Sequence, residues 1–321
     1  MLVASGLYNE CIVIDKPLRL VGEDRNNTVI DGGSYNFWDP VTRVVSVLSE
    51  NVTIEGFTIR NAFYGIYADH SDVFTARNNI LRSNFRGLCV NNTSVSTITE
   101  NIAVNNIEGI TVENSSMCVI EYNVLANNWG GYPDLLVGAG ISLGGSNSSM
   151  ITNNFLTNHT VGAIMLGEAY GNIIANNTAT NNDAYAVELY TSCENLVVNN
   201  TSIEDGGGIR VTAGSKNNVV IGNFVSKGII GIGCSFSEGN VFAQNTLSNN
   251  TDGFAMEQVS NLFVGNLILN NTNGIGIHYS NSSIFHHNNL INNTVDVEED
   301  IYANFNIWDD GAEGNYWDRY N

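Results

Sequence analysis

The chain is patterned on one short recurring unit. An asparagine returns at Asn79, Asn101, Asn123, Asn154, Asn177, Asn200, Asn223, Asn245, Asn266 and Asn288, at steps of 22, 22, 31, 23, 23, 23, 22, 21 and 22 residues. Three residues before it stands an apolar side chain in each repeat, Ile98, Ile120, Val197 and Phe242 among them. Two residues after it comes a small or apolar one, and Asn or Ser recurs five residues before it from Ser149 to Ser283. Gly87, Gly109, Gly208, Gly231, Gly253 and Gly274 hold a fixed offset behind it, each followed by an apolar residue. Between these markers the residues alternate apolar and polar, which is strand periodicity, and Asn and Gly punctuate the corners. No unit has room for a helix of about 10–12 residues.

A fixed short period is the mark of a repeat fold. A coil of three short strands closes on itself and stacks on the next at about 4.8 Å. The pattern therefore predicts an all-β chain, a single-stranded right-handed parallel β-helix of about eleven or twelve coils of about 22 residues. It reads as one domain over 1–321, with N-terminal coils in 1–50, regular repeats in 51–300 and a closing segment in 301–321. The one long step marks an inserted loop at 129–138. Phe242, Phe263 and Phe285 are expected to stack inside, and the ten asparagines to form an inward ladder whose amides bond between coils.

Composition narrows the partners. Only 14% of residues are charged, and 32 Asp plus Glu face 12 Lys plus Arg, a formal charge of −20. Such a surface repels phosphate backbones, which argues against nucleic acid. No apolar run of about 18 residues exists to span a membrane. Cys11, Cys89, Cys118, Cys193 and Cys234 form no CxxC and fall at different repeat positions, which reads as buried thiols. No signal peptide is visible ahead of Met1-Leu2-Val3-Ala4-Ser5-Gly6, which reads as strand and turn.

The opening Val3-Ala4-Ser5-Gly6-Leu7-Tyr8-Asn9-Glu10, with Ile14 to Asp24 and Thr28-Val29-Ile30-Asp31-Gly32-Gly33, resembles the first coils of NosD-type proteins. The tail Ile307-Trp308-Asp309-Asp310-Gly311 and Gly314-Asn315-Tyr316-Trp317 is similar to the closing motif of their archaeal members. These are right-handed β-helices of the CASH group of carbohydrate-binding proteins and sugar hydrolases, common on archaeal cell surfaces. The resemblance implies an extracellular or cell-surface β-helix in contact with a polysaccharide or glycan. The amphipathic helix ahead of the first strand and the calcium-rich segment after the closing motif, usual in the group, are missing. The coil ends are accordingly expected to be uncapped and open to end-to-end association.

Outward positions carry what function there is. One outward column runs through Glu188 and Arg210, the next through Asp69, Glu113, Tyr190, Glu257 and His278. Adjacent coils would set Glu188 beside Arg210 and Glu257 beside His278, a strip of hydrogen-bonding groups for a sugar chain. Trp129, Tyr132 and Asp134 in the inserted loop add rings and a carboxylate, and Phe37 and Trp38 near Asp39-Pro40 form a weaker version. Asp69, Glu113 and Glu188 are the weak catalytic candidates; Asp69 and Glu113, two coils apart, would sit about 9–10 Å from each other. The Asn-Thr-Asp, Gly-His-Gly and Asp-Pro-His motifs of pectinases and alginate epimerases are absent. His286 and His287, adjacent in a strand, should point to opposite faces, so no metal site is expected, and no cofactor beyond nonspecific Ca²⁺ on the acidic surface. The reading is an exported carbohydrate-contacting β-helix without strong catalysis; the alternatives are an envelope or sheath module that self-associates, or a polysaccharide lyase or hydrolase.

Overall fold

A computed structural model describes residues 1–33, 42–129, 138–303 and 305–318. Every regular element among them is a β-strand. The chain resolves into two compact units, Met1–Ile164 and Met165–Asn321. Each is a parallel β-solenoid of right-handed type, with about 13 turns counted over both.

One coil of the first unit shows the plan. Thr75–Arg77 forms a first face, Ile80–Arg82 a second and Arg86–Asn91 a third. Each pairs in parallel with its equivalent in the next coil: Ala76 with Ile98, Leu81 with Ala103, Leu88 with Ile110. The middle residue of each short strand is buried, as are Leu88 and Val90 of the long one. The second unit repeats the plan in Leu196–Val198, Thr201–Ile203 and Gly207–Thr212. The recurring glycine has a steric cause. A Cβ on Gly109 would meet the Gly140 carbonyl oxygen at 2.4 Å, and one on Gly231 would meet that of Gly253 at 2.4 Å.

The ladder is present in both units. Asn79 Oδ1 accepts from the Phe57 N–H, and Asn101, Asn123 and Asn154 follow in turn. In the second unit the column runs from Asn177 through Asn200, Asn223, Asn245 and Asn266 to Asn288. Within a unit the amide nitrogen reaches the next Oδ1 and also a backbone carbonyl of the preceding coil: Asn123 Nδ2 donates to Asn154 Oδ1 at 3.0 Å and to the Ile98 oxygen at 2.9 Å. The apolar residue three positions before each asparagine thus supplies core volume through its side chain and an acceptor through its backbone. The closing segment adds a rung, since Asn315 Oδ1 accepts from Asn288 N–H and Nδ2.

Ahead of every ladder asparagine one residue takes the left-handed conformation. These are Asn78, Glu100, Tyr122 and Asn153 in the first unit, and Asn176, Asn199, Gly222, Gln244, Gly265 and His287 in the second, with φ from 53° to 68°. That region costs an ordinary residue about 1–2 kcal/mol, least for Gly and Asn. The ladder bonds behind the corner offset the cost.

Further columns share the work. Asn84, Asn106 and Asn128 form a second amide ladder that passes onto His159 Nδ1, which accepts from Asn128 N–H at 3.3 Å. In the second unit Asn182 bonds to Asp205, and Asn250, Asn271 and Asn293 continue the position. Ser71, Thr93, Ser115 and Ser146 make a hydroxyl column. Asn172, Asn195, Asn218, Asn240 and Asn261 make another amide column. The expected ring stack is there too: Phe242–Phe263 at 5.0 Å, Phe263–Phe285 at 4.7 Å, with Trp308 on Phe285 at 4.5 Å. Cys89, Cys118 and Cys234 are buried free thiols, Cys193 is partly covered and Cys11 is exposed. Burial pushes the Cys89 thiol up to about 12.

Two outcomes follow. Asn223→Ala strands the Asn200 N–H and the Val197 carbonyl inside the core, and should cost about 3 kcal/mol at about 1–3 kcal/mol per orphaned group, read as a lower denaturant midpoint. Burial holds the His159 imidazole at about 4, below its ordinary 6.5. Below 6.5 the unfolded chain takes up a proton that the folded one refuses, so stability is full above that pH and declines toward pH 4, by roughly 3 kcal/mol. His159→Asn, which restores the residue used at neighbouring rungs, should flatten that part of the stability–pH curve.

Candidate functional site

The outward side of the third face in the second unit gathers the predicted strip. Glu188 lies opposite Arg210, and Tyr190 opposite Thr212. The Arg210 guanidinium is 3.4 Å from the Glu188 carboxylate and 5.3 Å from the centre of the Tyr185 ring. Thr212 and Ser235 share a hydrogen bond of 2.8 Å. Ser235 lies opposite Glu257, and Glu257 opposite His278, whose Nδ1 is 3.6 Å from Asp300. A cavity of about 220 Å³ is lined by Tyr185, Arg210, Ser235, Glu257 and His278. Burial pushes the Glu188 carboxyl up, and Arg210 offsets part of that. Burial also raises the Tyr185 hydroxyl. Tyr190 stands exposed beside the strip.

Trp129 is exposed in the first unit, with its N–H donating to the Asn106 carbonyl. Tyr132, Asp134, Phe37 and Trp38 lie outside the described residues.

In the first unit the third face carries a denser cluster. Arg86 donates through Nε to Glu108 at 2.7 Å and through a terminal nitrogen to Glu113 at 2.8 Å. Its own burial opposes the charge, but the two carboxylates outweigh it and hold the guanidinium above its usual range. Arg43 lies 3.9 Å over the Tyr67 ring. Asp69 and Glu113 do not face each other across open space. Asn91 stands between them in the column and donates to Asp69 at 3.0 Å, while Arg86 occupies Glu113.

The histidine pair departs from expectation. His286 ends the strand Ile284–His286, but His287 is the left-handed corner residue, φ 58°. Strict alternation fails at such a residue, and the two rings come to the same side. Their Nδ1 atoms are 2.6 Å apart, and His287 Nε2 is 2.9 Å from Glu313. Asp310 completes a group whose ligand atoms all lie within 4.8 Å of one another.

The family model described as "Periplasmic copper-binding protein (NosD)" matches residues 20–183, 135–226 and 181–321. The chain belongs to the NosD family. Among curated proteins none matches it in sequence. In structure this NosD-family chain is similar to a PL6 family alginate lyase, AlyGC, at 16% identity and TM-score 0.69, over 94% of this chain and 50% of that one. It is similar to the mannuronan C-5 epimerase AlgE6 A-module of Azotobacter vinelandii at 12% identity and TM-score 0.60, over 98% and 87% of the two chains. A DFA-IIIase from Arthrobacter chlorophenolicus A6 gives 14% identity and TM-score 0.59, over 84% and 82%. At these identities the likeness shows the fold. No helix among the described residues is long and apolar enough to cross a membrane.

Sequence reasoning missed Tyr64, Arg86, Glu108 and Tyr185 in this NosD-family chain. All occupy the first position of the long strand, just ahead of the recurring Gly or its Ala substitute. That column was open to the same alignment that produced the other two. Arg86 and Glu108 are both largely covered. Arg86→Met should therefore destabilise by about 3 kcal/mol, since it leaves a buried carboxylate without its partner. Adding Glu108→Gln should recover part of the loss in a denaturant titration; no recovery would mean the pair is not coupled.

Proposed function

We propose that this NosD-family chain is an exported, surface or periplasmic β-helix that holds a polysaccharide along the third face of its second unit. The carrying observation is the cavity where Arg210, Glu257, His278 and the Tyr185 ring converge. Charged and hydroxyl groups there hydrogen-bond sugar hydroxyls, and the Tyr185 and exposed Tyr190 rings offer apolar faces to sugar C–H groups. The carbohydrate enzymes among its structural neighbours support a glycan partner, and the family description supports a place outside the cytoplasm.

A second reading is favoured by Glu188. Its carboxyl is largely covered and shifted upward, beside an arginine, which is a trait of general acids. Asp69 and Glu113 are each already bonded, to Asn91 and to Arg86.

Titration of alginate oligosaccharides, together with a neutral-glycan array, tests both. Arg210→Ala and Glu257→Gln should each weaken binding roughly tenfold, the loss of one hydrogen-bonding contact of about 1.4 kcal/mol. No glycan binding by the wild type, or binding indifferent to both substitutions, would defeat the binding reading. Turnover that Glu188→Gln abolishes while binding persists would establish the catalytic one.

A further inference from the structure

The histidine–carboxylate cluster at the closing segment of the second unit is independent of the glycan strip and has the construction of a metal site. Asp310 is held from behind. Its Oδ1 accepts the backbone N–H of Ala312 at 2.8 Å and of Glu313 at 2.7 Å. Its other oxygen, Oδ2, is left facing His286 Nδ1 at 4.0 Å. Glu313 accepts from His287 Nε2. In a neutral ring that leaves the lone pair on Nδ1, which points at His286 Nδ1. A carboxylate behind an imidazole in this way fixes the tautomer and the ring orientation, as outer-shell partners of metal-bound histidines do. Two nitrogen lone pairs meeting at this distance repel unless a proton or a cation lies between them.

We propose that His286 Nδ1, His287 Nδ1 and Asp310 Oδ2 bind one divalent transition-metal ion, with Glu313 as the positioning residue behind His287. Two imidazoles and a carboxylate suit Zn(II), Ni(II) and Cu(II), with Cu(II) the tightest of the three on the general affinity order. The family description names copper, and this donor set fits its divalent form. It offers no sulfur, the ligand Cu(I) prefers, and Cys89, Cys118 and Cys234 are buried away in the core. His287 reaches the site only because a corner residue precedes each ladder asparagine in the left-handed conformation. Asp310 and Glu313 come from the closing segment that also supplies the Asn315 rung. The ion would therefore tie that segment to the coil beneath it.

The test is a titration of the full chain with CuSO₄ and, separately, ZnCl₂, followed by calorimetry, with electron paramagnetic resonance on the copper form. Expected are one ion per chain, nitrogen hyperfine structure from imidazole, and a raised melting temperature with either metal. His287→Gln should weaken binding at least roughly tenfold, and Glu313→Gln by about tenfold, in the range of outer-shell losses. Oxygen-only coordination in the wild type would overturn the proposal without any variant. So would binding of many ions per chain that neither substitution alters, the behaviour of a diffuse acidic surface.

Discussion

Everything in this fold depends on satisfying amides that are buried at the corners of each coil. A ladder asparagine is almost wholly covered, so its side chain must find its bonds inside the protein. Most of them come from the neighbouring coils. Asn223 accepts from the backbone and side-chain nitrogens of Asn200, and donates to Val197 and Asn245. A one-residue slip in any coil would leave those groups unpaired and turn every alternating side chain to the wrong face. Register is thus set locally, coil by coil. The interval from Asn123 to Asn154 is 31 residues against 22 before it and 23 after it, yet the rung between them keeps both bonds, at 3.0 Å each. Extra residues are tolerated only where they leave the corners alone.

The exceptions obey the same constraint. At the second ladder Asp205 replaces asparagine, and the next equivalent position is Gly228, which has no side-chain oxygen to receive an amide. An asparagine at 205 would have had a donor with no ladder acceptor. The carboxylate instead only accepts, from Asn182 and from the Ser202 hydroxyl at 2.6 Å. Burial raises its pKa and these bonds partly offset that. His159 is a comparable case, a ring whose Nδ1 takes the place of Oδ1 and which burial keeps neutral. Two substitutions that look like decay of the repeat are matched to their neighbours.

Much of the architecture was legible because columns in a solenoid are periods in a sequence. The ladder and the Phe242–Phe263–Phe285 stack followed directly from spacing. The second ladder was equally periodic, five residues behind the first, and required only that its asparagines be read as inward and not as loop polar residues. Local backbone was harder to read. The alternation rule separated His286 from His287, and one left-handed residue reunited them. Coil spacing related Asp69 to Glu113, but only the structure showed Asn91 between them and Arg86 on the second carboxylate. The Glu188–Arg210 and Glu257–His278 neighbours were recoverable because each pair sits at matching positions of paired strands.

The two outer clusters look alike in composition and differ in how their charge is used. Arg86 is clamped by two carboxylates at 2.7 and 2.8 Å, so its hydrogen-bonding capacity is largely spent within the protein. Arg210 has one carboxylate neighbour at 3.4 Å and keeps twice the side-chain exposure, 40% against 20%. It borders a cavity that Glu257 and His278 also line. A ligand must be met by groups whose bonds are not already complete, because displacing a short buried ion pair forfeits more than a sugar hydroxyl returns. On that ground the first cluster is part of the wall, and the second keeps the groups that the proposed saccharide contact requires.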